Sequence, residues 1–77
     1  MSDIPVIIVV DQYAHVVSVH CGDEGFCFSL PDMYEVGLVK AVERRFLRVM
    51  GSSLDMDAAP YKAVGDLRYY RGVVLSD

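Results

Sequence analysis

Residues 29–51 read SLPDMYEVGLVKAVERRFLRVMG, and this stretch decides the fold. A serine acceptor, an early proline and acids close behind mark a helix start near Pro31, and Gly51 supplies the stop. At about 100° per residue, Leu38, Val39, Val42, Phe46, Val49 and Met50 fall on one stripe. Lys40, Arg44 and Arg48 lie roughly opposite. The spacing predicts one long amphipathic helix over 31–50, whose apolar side must cover another layer.

The segments before it supply that layer. Residues 4–10 (IPVIIVV) and 13–21 (YAHVVSVHC) are rich in Ile and Val, with Asp11-Gln12 between them, and read as a hairpin. Gly22-Asp23-Glu24-Gly25 is a turn signal leading into a third strand, Phe26–Leu30. A turn centred on Asp23-Glu24 pairs residue 21 with 26, 19 with 28 and 17 with 30. One face then carries Val17, Val19, Cys21, Phe26, Phe28 and Leu30, and the other Ser18, His20, Cys27 and Ser29. A one-residue slip would mix the two sets. The same register adds Ile4, Val6, Ile8 and Val10 to the core face.

After the helix, Ser52–Pro60 reads as a loop, with a short helix capped by Asp57 as the alternative. Tyr61–Val64 and Leu67–Leu75 form a second hairpin around Gly65-Asp66, although Gly72 interrupts the last strand. The expected fold is therefore α+β, an antiparallel sheet of about five strands packed on one long helix in the order β-β-β-α-β-β. All 77 residues form a single compact domain, because a chain this short supports only one core.

Composition narrows the classes. The apolar share of 53% excludes a disordered chain. The run Ile4–Val10 is too short to cross a bilayer, and the opening Met1-Ser2-Asp3 does not resemble a secretory signal. Two cysteines are too few for a disulfide scaffold. These features place the protein in the cytoplasm with no membrane partner. Net charge is −4, yet Lys40 to Arg48 carries +3, so the remainder carries −7. Direct nucleic-acid binding is not expected from that balance.

Four constellations could carry chemistry. His15, His20, Cys21 and Cys27 lack the spacing of a zinc site, and the expected register points Cys21 and Cys27 to opposite faces, against a disulfide. That register does set His20 beside Cys27, a pair able to make a reactive thiolate. Asp23-Glu24 and Asp55 with Asp57 match no calcium loop, and acids in turns are ordinarily just solvated. Glu35 projects near the apolar stripe at the first helical turn, where it favours the helix dipole. Arg68-Tyr69-Tyr70-Arg71 combines stacking rings with phosphate-binding groups, but Tyr69 and Tyr70 must point to opposite faces. No metal or cofactor is implied.

Three function classes follow. The favoured one is a non-catalytic binding or inhibitory protein meeting a basic protein surface through Asp23, Glu24, Asp55, Asp57 and Asp66. Size and charge suit a phage-type, anti-CRISPR-like inhibitor that blocks a nucleic-acid-binding effector. An alternative face on the helix comprises Met33, Val36, Lys40, Arg44, Leu47 and Arg48, beside Tyr34. The second class is a nucleic-acid-binding, antitoxin or regulatory module using Arg68, Tyr69, Tyr70 and Arg71 with the basic helix row. The third is a thiol enzyme centred on Cys27 and His20. The protein acts as a monomer or homodimer in any of these.

Overall fold

The apolar alternation of the flanking segments and the helical stripe between them meet in a two-layer structure. The computed structural model describes residues 4–30 and 35–75, and of residues 35 and 36 the backbone alone. Its elements are β1 (Ile4–Asp11), β2 (Val16–Cys21), β3 (Glu24–Ser29), α1 (Glu35–Met50), β4 (Leu54–Met56), β5 (Lys62–Val64) and β6 (Leu67–Val74). Every strand pairing is antiparallel. The lanes run β3-β2-β1-β6, with β4 and β5 sharing the far side of β6. Among the described residues six strands thus fill five lanes against one helix, the α+β architecture read from the sequence.

The described helix, Glu35–Met50, is short rather than long. It has 16 residues, about 24 Å at 1.5 Å per residue. The start expected at residues 31–34 lies outside the described residues. The stop is as expected. Gly51 takes φ +74, and its N–H donates to Leu47 O at 2.9 Å, a left-handed cap that suits glycine.

Register differs by two residues from the expectation. Cys21 pairs with Glu24, Val19 with Phe26 and Val17 with Phe28, so the turn is centred on Gly22-Asp23. Gly22 has φ +61 while Asp23 stays negative, the sign pattern of a type II′ hairpin with glycine at its first central position. Gly65, at φ +58, repeats the device before Asp66. A two-residue slip preserves which side chains share a face, so the expected segregation survives. It separates His20 from Cys27, however: His20 pairs with Gly25 and Ser18 with Cys27. The two side chains share a face only diagonally.

The first turn also sits later than expected. The Asp11 carboxylate accepts from Tyr13 N at 3.0 Å and Ala14 N at 2.9 Å, and His15 adopts φ +57. This local bonding bends the chain through residues 12–15, so β2 begins at Val16 rather than Tyr13.

Ser52–Pro60 is not simply a loop. Leu54 and Met56 alternate inward as β4, each about 5% exposed. The chain then leaves the lane, because residues 57–61 face only residues 70 and 71 of β6. Gly72 does not break the last strand. It lies within β6 opposite Met56, where an added Cβ would stand 3.0–3.1 Å from Leu54 Cδ1, Asp55 O and Met56 Cβ.

The core lies between sheet and helix. Val6, Ile8, Val10, Val17, Val19, Tyr70, Leu54 and Met56 meet Leu38, Val42 and Phe46, with Val39, Met50, Phe26, Phe28 and Leu30 around them. Two expected members fall outside. Val49 is 51% exposed and Ile4 47%, since angular position brings a side chain inward only where a facing layer exists. No described helix is long and apolar enough to cross a membrane.

Candidate binding surfaces

The helix covers one face of the sheet; among the described residues no second layer covers the other. Pairing fixes what that open face presents. Pro5 and Val73 form one row, with Asp55 at its end; His20, Ile7 and Arg71 form the next; then come Ser18, Val9, Tyr69 and Lys62; and finally Val16, Asp11 and Leu67. Antiparallel sheets with one wet face ordinarily alternate apolar and polar. Here β1 is apolar on both sides, and Ile7, Val9 and Val73 remain only half-buried. The signal was visible in the unbroken run Ile4–Val10, a pattern belonging to strands covered on both faces.

The broken lane beside β6 builds the polar part of this face. By stepping out at residues 57–61, the chain brings Tyr61 back with its N–H on Tyr69 O at 2.9 Å. The Tyr61 and Tyr69 rings lie 6.3 Å apart. The Arg71 guanidinium sits 4.3 Å over Tyr61, and the Lys62 ammonium 5.3 Å over Tyr69. These are attractive cation–ring distances. Arg71, Lys62 and the two rings thus make one cluster. A shallow groove beside it is lined by Pro5, Ile7, Val73, Asp55, Asp57 and Arg71. Sequence reasoning missed Ile7, Val9, Val73, Tyr61 and Lys62 as surface groups.

The proposed nucleic-acid strand is divided between the two faces. Tyr70 is 6% exposed in the core, and Arg68 Nη1 donates to Gly65 O and Leu67 O. Tyr69 and Arg71 alone remain on the open side.

The helix has two unlike flanks. Toward β3, Arg45 places its guanidinium 5.0 Å over the Phe28 ring, and Ala41, Arg44 and Arg48 continue a basic surface beside it. Toward β4, Glu43 Oε2 accepts from Met56 N at 3.4 Å, and a depression lies among Lys40, Glu43, Arg44, Leu47 and Leu54. Lys40, Arg44, Leu47 and Arg48 are all exposed, as expected of the alternative face. Met33 and Tyr34 lie outside the described residues, as do the side chains of Glu35 and Val36.

The acidic residues are exposed but do not all converge. Asp55 and Asp57 stand on the β4 side of the open face. Asp23, in the β2–β3 turn, and Glu24, at the start of β3, lie three to four lanes away, roughly 14–19 Å at the usual strand spacing. Asp66 occupies the β5–β6 turn, where its carbonyl accepts from Gln12 N. Among the described residues no three His, Cys, Asp or Glu side chains gather as a metal site. Cys21 is half-buried on the core side, Cys27 is exposed on the open side, and both are free thiols.

Compared with family models, with curated proteins and with solved structures, the chain has no match.

Proposed function

We propose that this chain is a small non-catalytic binding protein that covers its open sheet face with a folded protein partner. The observation that carries this reading is Ile7, Val9 and Val73, half-buried on the sheet face that no other described element covers. An apolar centre ringed by Tyr61, Tyr69 and Arg71 has the composition of interface hot spots, where aromatic and arginine side chains dominate binding energy. Asp55 and Asp57 stand at the rim, so basic groups on the partner fit beside them. In its narrower form the partner is a nucleic-acid-binding effector whose basic surface the protein occupies. The free thiols suit a reducing compartment, and the cytoplasm is the proposed setting.

The test is affinity capture from the source cell with three tagged chains: wild type, Ile7→Glu and Leu47→Glu. Wild type and Leu47→Glu should retain the same partner. Ile7→Glu, folded by circular dichroism, should lose it by at least about tenfold, because a buried unpaired carboxylate costs several kcal/mol at an interface. Retention by Ile7→Glu would overturn the assignment of this face.

A second reading rests on the Tyr61–Tyr69 cluster, which could stack bases of a single strand while Arg71 and Lys62 hold phosphates. The neighbouring Asp55 and Asp57 offset those two cations, which is why a protein partner is preferred. Salt-dependent binding of a labelled oligonucleotide, lost in Tyr69→Ala and Arg71→Ala, would reverse that preference.

A further inference from the structure

The two edges of the sheet are built differently, and the difference points to a second binding mode. Sheet edges expose backbone donors and acceptors, and proteins ordinarily blunt them with short strands, prolines, lysines or irregular backbone. The β4/β5 edge has these devices. Its strands are three residues each, separated by residues 57–61 with Pro60 among them, and Lys62 lies on β5. Met56 N, which faces outward there, is met by Glu43.

Among the described residues the β3 edge has none of them. It is a regular strand of six residues, EGFCFS, with no proline and no basic residue, and it ends the sheet. Its bonding phase follows from the Gly22-Asp23 hairpin. In a two-residue hairpin the residues flanking the turn exchange hydrogen bonds, and bonded pairs then alternate. Glu24, Phe26 and Phe28 therefore bond to β2, and Leu30 N donating to His15 O at 2.8 Å continues that phase. Gly25, Cys27 and Ser29 point their N–H and C=O groups away from the sheet, and all three are exposed. On the helix side of the same edge stand the stacked rings of Phe26 and Phe28, half-buried, with the Arg45 guanidinium over Phe28 and Arg48 lining one basic surface with Arg45.

We propose that the β3 edge takes up an extended acidic segment of a partner protein by strand addition, with Arg45 and Arg48 meeting its carboxylates. Main-chain bonds at Gly25, Cys27 and Ser29 supply the pairing, and side chains on one side of the added strand supply the selectivity. Charge argues against a second copy as the occupant. Antiparallel pairing of β3 with its own twin would bring both sets of Arg45 and Arg48 together on one face, like charges facing.

The experiment is an NMR titration of the ¹⁵N-labelled full chain with an eight-residue Glu-Val repeat peptide. Its Lys-Val counterpart serves as a control, as does a Glu-Val analogue N-methylated at its two central residues. The amides of Gly25, Cys27 and Ser29 should shift with the acidic peptide and exchange with solvent at least about fivefold more slowly. Neither control should move them. Arg45→Glu with Arg48→Glu should transfer the response to the Lys-Val peptide. Cys27→Pro should abolish it, since an edge strand tolerates proline where its N–H faces solvent. No change at those amides with millimolar peptide would overturn the proposal, as would equal responses to both charges. Shifts there that follow protein concentration alone would assign the edge to a second copy instead. Because the N-methyl control alters only the peptide, the outcome does not depend on any variant folding. Failure here leaves the open face, tested through Ile7→Glu, unaffected.

Discussion

Truncating Phe46 to alanine is expected to remove about 3–5 kcal/mol of stability and leave the chain largely unfolded at 37 °C. Phe46 is fully buried and heads the largest enclosed side chains, its ring 6.2 Å from Phe26. It holds the helix against the β2–β3 side of the sheet through Phe26, with the partly buried Met50 beside it at the same end. A domain of this size holds a net stability of only about 3–5 kcal/mol, so the loss is comparable to the whole. Leu47, one residue on and 52% exposed, is the internal control. Leu47→Ala should change stability by no more than about 0.5 kcal/mol. Urea denaturation of the two variants checks both values.

Gly72→Val should be the next most damaging change, at about 2–3 kcal/mol. A Cβ at that position already meets Leu54, Met56 and the Asp55 carbonyl at 3.0–3.1 Å, and the branched methyls of valine cannot all avoid them. Valine otherwise favours strands, so propensity predicts a gain where packing predicts a loss. The strain falls on β4, a three-residue strand whose neighbours on β6 are Gly72, Val73 and Val74. Hydrogen exchange should therefore show β4 released first, with faster exchange at Asp55, Asp57 and Leu75, while β1 and β2 keep their protection. Leu75 N donates to Ser53 O and Asp57 N to Arg71 O, so those amides report directly on the lane. Unchanged exchange there would show that the glycine is dispensable.

Much of this architecture was legible from residue pattern because strands repeat every two residues and helices every 3.6. The buried set Val6, Ile8, Val10, Val17 and Val19 follows from parity alone. Parity does not fix register: Gly22-Asp23-Glu24-Gly25 offers more than one two-residue turn, and those separated by a two-residue slip bury the same faces. The left-handed φ required at the first central position selects Gly22, and the His20–Cys27 pairing expected from the other turn is lost with it. The helix stripe was similarly correct in direction for Leu38, Val42 and Phe46, but Val49 extends past the layer that would cover it. β4 escaped notice because Leu54-Asp55-Met56 is too short to show a period. Its partner on β6 contains a glycine whose role is visible only in three dimensions.

The candidate surfaces were less legible, for a physical reason. A binding face is made by what the fold leaves uncovered, and charge counts do not record that. The acidic residues that net charge singled out occupy separate turns and one edge. The apolar side chains Ile7, Val9 and Val73 read as ordinary core until the described helix is seen to lie on the opposite face of the sheet. The basic row of the helix divides into an Arg45–Arg48 flank toward β3 and a Lys40–Glu43 flank toward β4. Which cations matter depends on that division.

The central claim is that the sheet is finished on one face and left open for a partner on the other. Neighbouring isoleucines of β1 test it most directly, since Ile8 is fully buried and Ile7 lies on the open side. Ile7→Thr and Ile8→Thr make the same chemical change one residue apart. Measured by urea denaturation of the isolated chain at two protein concentrations, Ile8→Thr should cost about 2–4 kcal/mol through lost volume and a buried hydroxyl. Ile7→Thr should stay within about 1 kcal/mol at both concentrations. Equal losses, or an Ile7→Thr penalty that grows with concentration, would mean that the free protein already covers this face, contradicting the account.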